Sequence, residues 1–184
     1  MQTGRADRQA AYAAKAREEL GALTAQGAIM AGNAFSPVLF LKGAPEQEEL
    51  AQGSPLCGAD GKALRASLAA LGYAPEEWCA LLSVDAHGDT LDPLLLREAI
   101  AVLDPSTLII CDEEAANAVR NTYADDLAAL DDFEQAMLVP GKPAQLLGIR
   151  AINLGGFAAA LGDPHEKQVM WARLKLVPPL GAPY

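Results

Sequence analysis

Short apolar runs alternate with longer amphipathic segments along most of this chain. Four runs have the length and composition of buried strands, and they span residues 38–41, 78–84, 107–111 and 149–154. Around them, apolar residues recur at spacings of three and four, which predicts helices over residues 5–26, 61–71, 93–102, 113–123 and 164–176. Strands that alternate with helices indicate a parallel sheet covered on both faces. The pattern therefore predicts a three-layer α/β domain built on a four-stranded, mainly parallel sheet.

Polar residues at the helix starts support these boundaries. Asp92 and Asp163 each precede a proline, which combines an N-cap with the residue suited to the first helical position, and Asp112 can cap the next helix. The remaining segments are predicted to be a connection over 30–37, a solvated acidic stretch over 125–134 and a short edge strand over 136–139. We expect one domain over residues 1–184, with an N-terminal helix within 1–27 and an extended proline-rich tail over 177–184.

The charge balance limits the partners that the chain can have. Fourteen basic residues against 24 acidic ones give a formal net charge of −10. DNA-binding proteins gain affinity by neutralising phosphates with Lys and Arg, so we expect weak or no DNA binding and regard a protein partner as possible. No apolar run approaches the length of a membrane span, and the N-terminus lacks an apolar signal core. These features predict a cytoplasmic protein that is not inserted in a membrane.

The three cysteines, Cys57, Cys79 and Cys111, show no spacing typical of a metal site. We interpret them as small buried hydrophobic residues in a reducing compartment. The acidic stretch over 125–134 is interpreted as solvated surface, because a metal site would need ligands converging from elsewhere in the chain. The sequence therefore predicts no metal and no cofactor.

A glycine-rich segment follows the first predicted strand and leads into a helix. It holds Lys42-Gly43-Ala44-Pro45-Glu46, an acidic stretch, and then GSPLCGADG over residues 53–61. This arrangement resembles uracil-DNA glycosylases of the thermophile type, in which GEAPG and GRPFVGRAG occupy the two positions. The resemblance covers residues from about 38 to 176 and implies a uracil-DNA glycosylase-like fold. Cluster-bearing relatives have a close cysteine pair before the first strand, which is absent here, so no iron–sulfur cluster is implied.

The resemblance also implies a ligand cleft and assigns tasks to positions in it. The catalytic carboxylate would stand at Gly43, the ring that stacks on uracil at Leu56, and the histidine that stabilises the uracil anion at Gly156. The asparagine that reads the uracil edge falls near Leu82, where Ser83 is the polar neighbour. The implied cleft residues are Gly43, Ala44, Pro45, Leu56, Ser83, Gly156 and Phe157. All four chemical groups of the family are thus replaced on an intact framework.

This contrast predicts a uracil-DNA glycosylase-like protein that has lost base excision. Its role would be to bind a partner protein, a nucleotide or a nucleic-acid fragment. One alternative is a divergent active glycosylase or hydrolase that uses Lys42, Asp85 or His87, since an Asp–His pair can act as a general base. Another alternative is a structural subunit. The Lys42 side chain is expected to point to solvent or cap its loop, and Phe157 is expected to turn inward, pack near Leu56 and fill the uracil space.

Overall fold

The computed structural model describes residues 3–74 and 77–177 and shows an α/β fold with a mixed six-stranded sheet. The strands are β1 (Met30–Gly32), β2 (Val38–Lys42), β3 (Cys79–Leu82), β4 (Thr107–Ile110), β5 (Ala144–Leu146) and β6 (Ile149–Asn153). Their order across the sheet is β1-β3-β2-β4-β6-β5. The four central strands are parallel, whereas β1 and β5 are antiparallel to their neighbours at the two edges.

The prediction of four strands was therefore wrong at the sheet edges. β1 lies within the segment predicted to be a connection and pairs with β3, and the predicted edge strand over 136–139 does not form. The second edge strand is instead β5, which pairs with β6 through a two-residue hairpin turn. Both turn residues, Leu147 and Gly148, have positive φ, as a type I′ turn requires. Both edge strands have only three residues, too few to produce a periodic sequence signal.

Nine helices flank this sheet within the described residues. They are α1 (Thr3–Ala25), α2 (Gln47–Gln52), α3 (Ala59–Ala70), α4 (Pro93–Leu103), α5 (Glu113–Thr122), α6 (Ala124–Ala128), α7 (Phe133–Ala136), α8 (Phe157–Ala160) and α9 (Pro164–Leu174). The predicted N-caps are confirmed, since Asp92, Asp112 and Asp163 each accept a hydrogen bond from a backbone N–H in the first turn. The predicted tail beyond residue 177 lies outside the described residues. Within the part described, no helix is long and apolar enough to cross a membrane.

The two faces of the sheet carry separate hydrophobic cores, as alternating side chains on a strand require. In β2, Leu39 and Leu41 join a core with residues of α1, α4, α5 and α6. Val38 and Phe40 join the opposite core, which includes residues of α3, α8 and α9. The predicted three-layer arrangement, with helices on both sides of the sheet, is thus confirmed.

Candidate functional site

A cavity of about 240 Å³ lies at the carboxyl ends of the adjacent parallel strands β2, β4 and β6. Ligand sites of open α/β sheets form at this edge, which makes the cavity the candidate site. It is lined by Lys42, Ala44, Asp60, Cys111, Asp112, Glu113, Glu114, Gly155, Gly156, Phe157, Ala158 and Ala159. Three of the predicted cleft residues, Ala44, Gly156 and Phe157, are therefore at the site.

Lys42 is the last residue of β2 and is buried, with only 2% of its surface exposed. Its Nζ donates to Glu49 Oε2 at 2.5 Å and to Asp60 Oδ2 at 2.6 Å. Glu49 belongs to α2 and Asp60 to the first turn of α3, and both are buried. The expectation that Lys42 points to solvent or caps its loop was wrong, because these two carboxylates draw the ammonium group inward. We call Lys42, Glu49 and Asp60 the buried ion cluster.

Backbone N–H groups also donate hydrogen bonds to the carboxylates of the buried ion cluster. Glu49 Oε1 accepts from the N–H of Leu56 at 2.6 Å, and its Oε2 also accepts from the N–H of Glu46 at 2.7 Å. Asp60 Oδ1 accepts from the N–H of Gly61 at 2.7 Å. Through Glu49, Lys42 therefore connects the end of β2 to both motifs of the glycine-rich segment, the first at Glu46 and the second at Leu56.

The electrostatics of the buried ion cluster keep Lys42 charged. Burial alone would lower the pKa of its ammonium group, but the hydrogen bonds and negative charges of Asp60 and Glu49 raise that pKa above its ordinary value. A lysine that remains protonated at neutral pH cannot accept a proton or attack as a free amine. Lys42 is thus unsuited to be the general base of the alternative enzyme hypothesis.

Asp112 fixes the first loop of the site to the start of α5. Its carboxylate accepts from the backbone N–H of Gly43 at 3.0 Å and from that of Ala44 at 3.1 Å. The same carboxylate caps α5 by accepting from the N–H of Ala115 at 2.8 Å. Its two oxygens are thus committed to backbone groups that hold loop and helix together.

Gly43 lies so close to α5 that no side chain fits there. A Cβ at this position would overlap the backbone nitrogen of Ala115 and lie 2.6 Å from the carbonyl carbon of Glu114. Real Cβ atoms do not approach backbone this closely, so the helix or the loop would have to move. The position to which the resemblance assigns a catalytic carboxylate is therefore closed by the fold itself.

Phe157 turns inward, as predicted, and is 5% exposed. It belongs to the same hydrophobic core as Leu56, which is 2% exposed and does not line the cavity. Phe157 also lines the 240 Å³ cavity, and filling of the uracil space by its ring stays a prediction. Asp60 and Asp112 are two of the carboxylate residues that line this cavity.

The other predicted residues lie away from the cavity. Gly43 and Pro45 adjoin it in sequence without lining it, and Ser83 is buried beyond the end of β3. β3 lies on the far side of β2 from β4, so its end is beside the strands that border the cavity and contributes no lining residue. Asp85 and His87 follow in the same loop, where Asp85 Oδ1 accepts from the backbone N–H of His87 at 2.8 Å. That bond lowers the pKa of Asp85 and shapes the loop, while His87 is exposed.

The cavity lining is acidic. It carries four carboxylate residues, Asp60, Asp112, Glu113 and Glu114, against the single cation of Lys42. Arg120 pairs with Glu113 at 2.7 Å, which offsets part of this charge. The remaining excess of negative charge disfavours an approaching phosphate group.

Sequence reasoning missed the roles of Glu49 and Asp60. Seven and eighteen residues separate them from Lys42, and neither spacing corresponds to a known motif. Glu49 belongs to the acidic stretch between the two glycine motifs, to which no role was assigned, and it is completely buried. One sequence signal for Asp60 was its position between Gly58 and Gly61, which places a carboxylate at the start of α3. In the structure this carboxylate faces the end of β2.

We predict that the three thiols differ in reactivity. Cys57 is half-buried, whereas Cys79 and Cys111 are buried. Burial raises the pKa of Cys79 to about 11 and, with the nearby charge of Asp112, raises that of Cys111 well above its ordinary value. In the native protein, an aromatic disulfide reagent should modify Cys57 first and the other two only after unfolding. Equally fast modification of all three, followed by mass spectrometry, would contradict the described packing.

Comparison with known proteins adds no assignment. The chain matches no protein-family model, and no curated protein has a significantly similar sequence. Among the described residues, no group of three or more His, Cys, Asp or Glu side chains is arranged to hold a metal ion. The function must therefore be inferred from the geometry of the site.

Proposed function

We propose that this chain is a uracil-DNA glycosylase-like protein that has lost base excision and acts by binding a partner. The observation that carries the proposal is that three polar residues of the cavity, Lys42, Asp60 and Asp112, are bound to one another or to the backbone. Lys42 is paired twice within the buried ion cluster, and both oxygens of Asp112 accept backbone N–H groups. General acid–base catalysis needs a group free to exchange a proton with the substrate.

Two features support the glycosylase-like scaffold. The four central strands are parallel, and the glycine-rich segment follows the strand β2 at the carboxyl edge, where the resemblance would place it. Gly61 also has a steric role, because a Cβ there would overlap the backbone of Leu56. Gly61 is therefore needed for packing, independently of any catalytic role.

The charge of the cavity favours a protein partner over a nucleotide or nucleic acid. Phosphate groups would meet the carboxylates of Glu113 and Glu114, which are exposed at the rim. The formal charge of −10 acts in the same direction at longer range. A protein segment that presents hydrogen-bond donors or a positive charge suits the lining better.

A divergent hydrolase is the second candidate. It is favoured by the cavity that remains beside Phe157, with the carboxylates of Asp60 and Asp112 in its lining. Asp85 and His87 do not support it, because neither lines the cavity. Any activity would therefore have to come from the exposed carboxylates of Glu113 and Glu114, or from Asp60 or Asp112 after release from their present partners.

A nucleic-acid binding assay tests whether the partner is a protein or a nucleic acid, and we expect weak binding. A fluorescein-labelled single-stranded oligonucleotide containing uracil should show no sub-micromolar affinity at roughly 150 mM salt, measured by anisotropy. Replacing both rim carboxylates, Glu113→Gln and Glu114→Gln, should strengthen binding more than Glu18→Gln on the exposed face of α1. Tight binding by the unmodified chain would contradict the proposal and favour a nucleic-acid ligand.

A further inference from the structure

An open apolar groove of about 500 Å³ lies at the opposite end of α5 from the cavity. Its lining comes from the end of α5, from α6 and α7, and from the turn between them, and it shares no residue with the cavity. Along α5, seven residues separate Glu113 of the cavity from Arg120 of the groove, and the two side chains form an ion pair at 2.7 Å. The groove is therefore a separate surface that adjoins the site to which the proposed function refers.

Large hydrophobic side chains are exposed at this groove. Phe133 is 75% exposed and Met137 is 44% exposed, and both line it. Ala124 and Ala128 continue the apolar surface along α6. Exposed aromatic and methionine side chains around a concave apolar surface are typical of protein-binding grooves, because both adapt to and cover an apolar partner.

The rim of the groove is acidic. Residues 124–136 contain five carboxylates, Asp125, Asp126, Asp131, Asp132 and Glu134, and no lysine or arginine. Arg97 pairs with Asp126, and Lys142 with Asp132 and Glu134. Asp125 and Asp131 are exposed and form no ion pair within the described residues. Arg120 also lines the groove, but it pairs with Glu113, so the exposed carboxylates of Asp131 in the lining and Asp125 beside it leave the surface around the apolar floor negatively charged.

We propose that this groove binds a basic amphipathic helix of a partner protein. An apolar face at helical spacing would cover Phe133 and Met137, and flanking Lys or Arg residues would meet Asp125 and Asp131. A second copy of this chain is the poorer occupant, because two molecules of net charge −10 repel each other. The partner is therefore defined by its chemistry, as a helix with leucine-like anchors and a positive polar face.

The test uses a labelled synthetic helix of about 16 residues, with leucines on one face and lysines on the other. Its anisotropy should rise saturably with full-length protein at concentrations up to roughly 100 μM. The variant Phe133→Ser/Met137→Ser should bind at least about tenfold more weakly. The matched control is Leu94→Ser, which removes a side chain that is 78% exposed on α4 outside the groove and should leave binding unchanged.

A second set of variants tests how much the carboxylates near the groove contribute to peptide binding. Asp125→Asn/Asp131→Asn should weaken binding and reduce its dependence on salt, and the same peptide with Glu in place of Lys should not bind. Absence of binding, equal binding of both peptides, or equal weakening by Leu94→Ser would overturn the proposal. Sedimentation velocity that shows a dimer lost in Phe133→Ser would also overturn it, since the groove would then be a self-interface. Circular dichroism of each variant confirms that these exposed changes leave the fold intact.

Discussion

Replacement of Lys42 by methionine should lower the free energy of unfolding by about 3–5 kcal/mol. Methionine preserves most of the volume but leaves the carboxylates of Glu49 and Asp60 buried without their cation. Removing one partner from a buried ion pair is costly because the remaining charge is neither hydrated nor paired. Urea unfolding monitored by circular dichroism measures the change.

Two controls isolate this effect. Lys15→Met removes a lysine whose side chain is 74% exposed and pairs loosely with Glu19 at 3.7 Å, so little change is expected. Adding Glu49→Gln and Asp60→Asn to Lys42→Met should recover much of the loss, because the two negative charges disappear together. A loss from Lys42→Met no larger than that from Lys15→Met would show that Lys42 is not in a closed buried cluster.

Introducing a carboxylate at Gly43 should destabilise the protein severely and restore no activity. Gly43→Glu would drive its Cβ into the backbone of Ala115, so we expect a loss of about 3 kcal/mol or more, the upper range for overpacking. Gly156→His is also unfavourable, since φ is +122° there. The double variant should therefore excise no uracil.

The matched control for Gly43 is Gly21→Ala in α1. That site has no neighbouring atom within 4 Å of a built Cβ, so alanine should stabilise the helix by up to about 1 kcal/mol. Chemical denaturation of both variants gives the comparison. If Gly43→Glu were as stable as the parent, or if the double variant released uracil, the steric exclusion at Gly43 would be disproved.

The hydrophobic pattern was sufficient to predict the centre of this fold. Runs of four buried apolar residues, such as Val38 to Leu41 and Leu108 to Cys111, are typical of strands in the middle of a parallel sheet. The Asp–Pro pairs correctly predicted the starts of α4 and α9, because each combines an N-cap carboxylate with a proline at the first helical position. Edge strands are different, since β5 has only two buried residues, Ala144 and Leu146, on either side of the exposed Gln145, and so short a pattern does not predict a strand.

The candidate site was predictable in position but not in chemistry. Parallel strands bring their carboxyl ends to one edge, so the loops after β2 and β6 were expected to meet there. The pairing of Lys42 with Glu49 and Asp60 depends on how α2 and α3 pack back onto β2. Burial of three charges is a property of that packing, and a polar residue in the sequence normally indicates exposure. This is why the lysine was assigned to solvent.

A single-turnover uracil-release assay tests the central claim most directly. The protein is held in large excess over a labelled single-stranded oligonucleotide containing uracil, and abasic sites are revealed by alkaline cleavage. We predict no release above a reaction without protein, because three polar residues of the cavity, Lys42, Asp60 and Asp112, are bound within the protein. Release that persists in His87→Ala but disappears in Asp112→Ser, which retains a capping hydroxyl, would contradict the claim and identify the cavity as an active site.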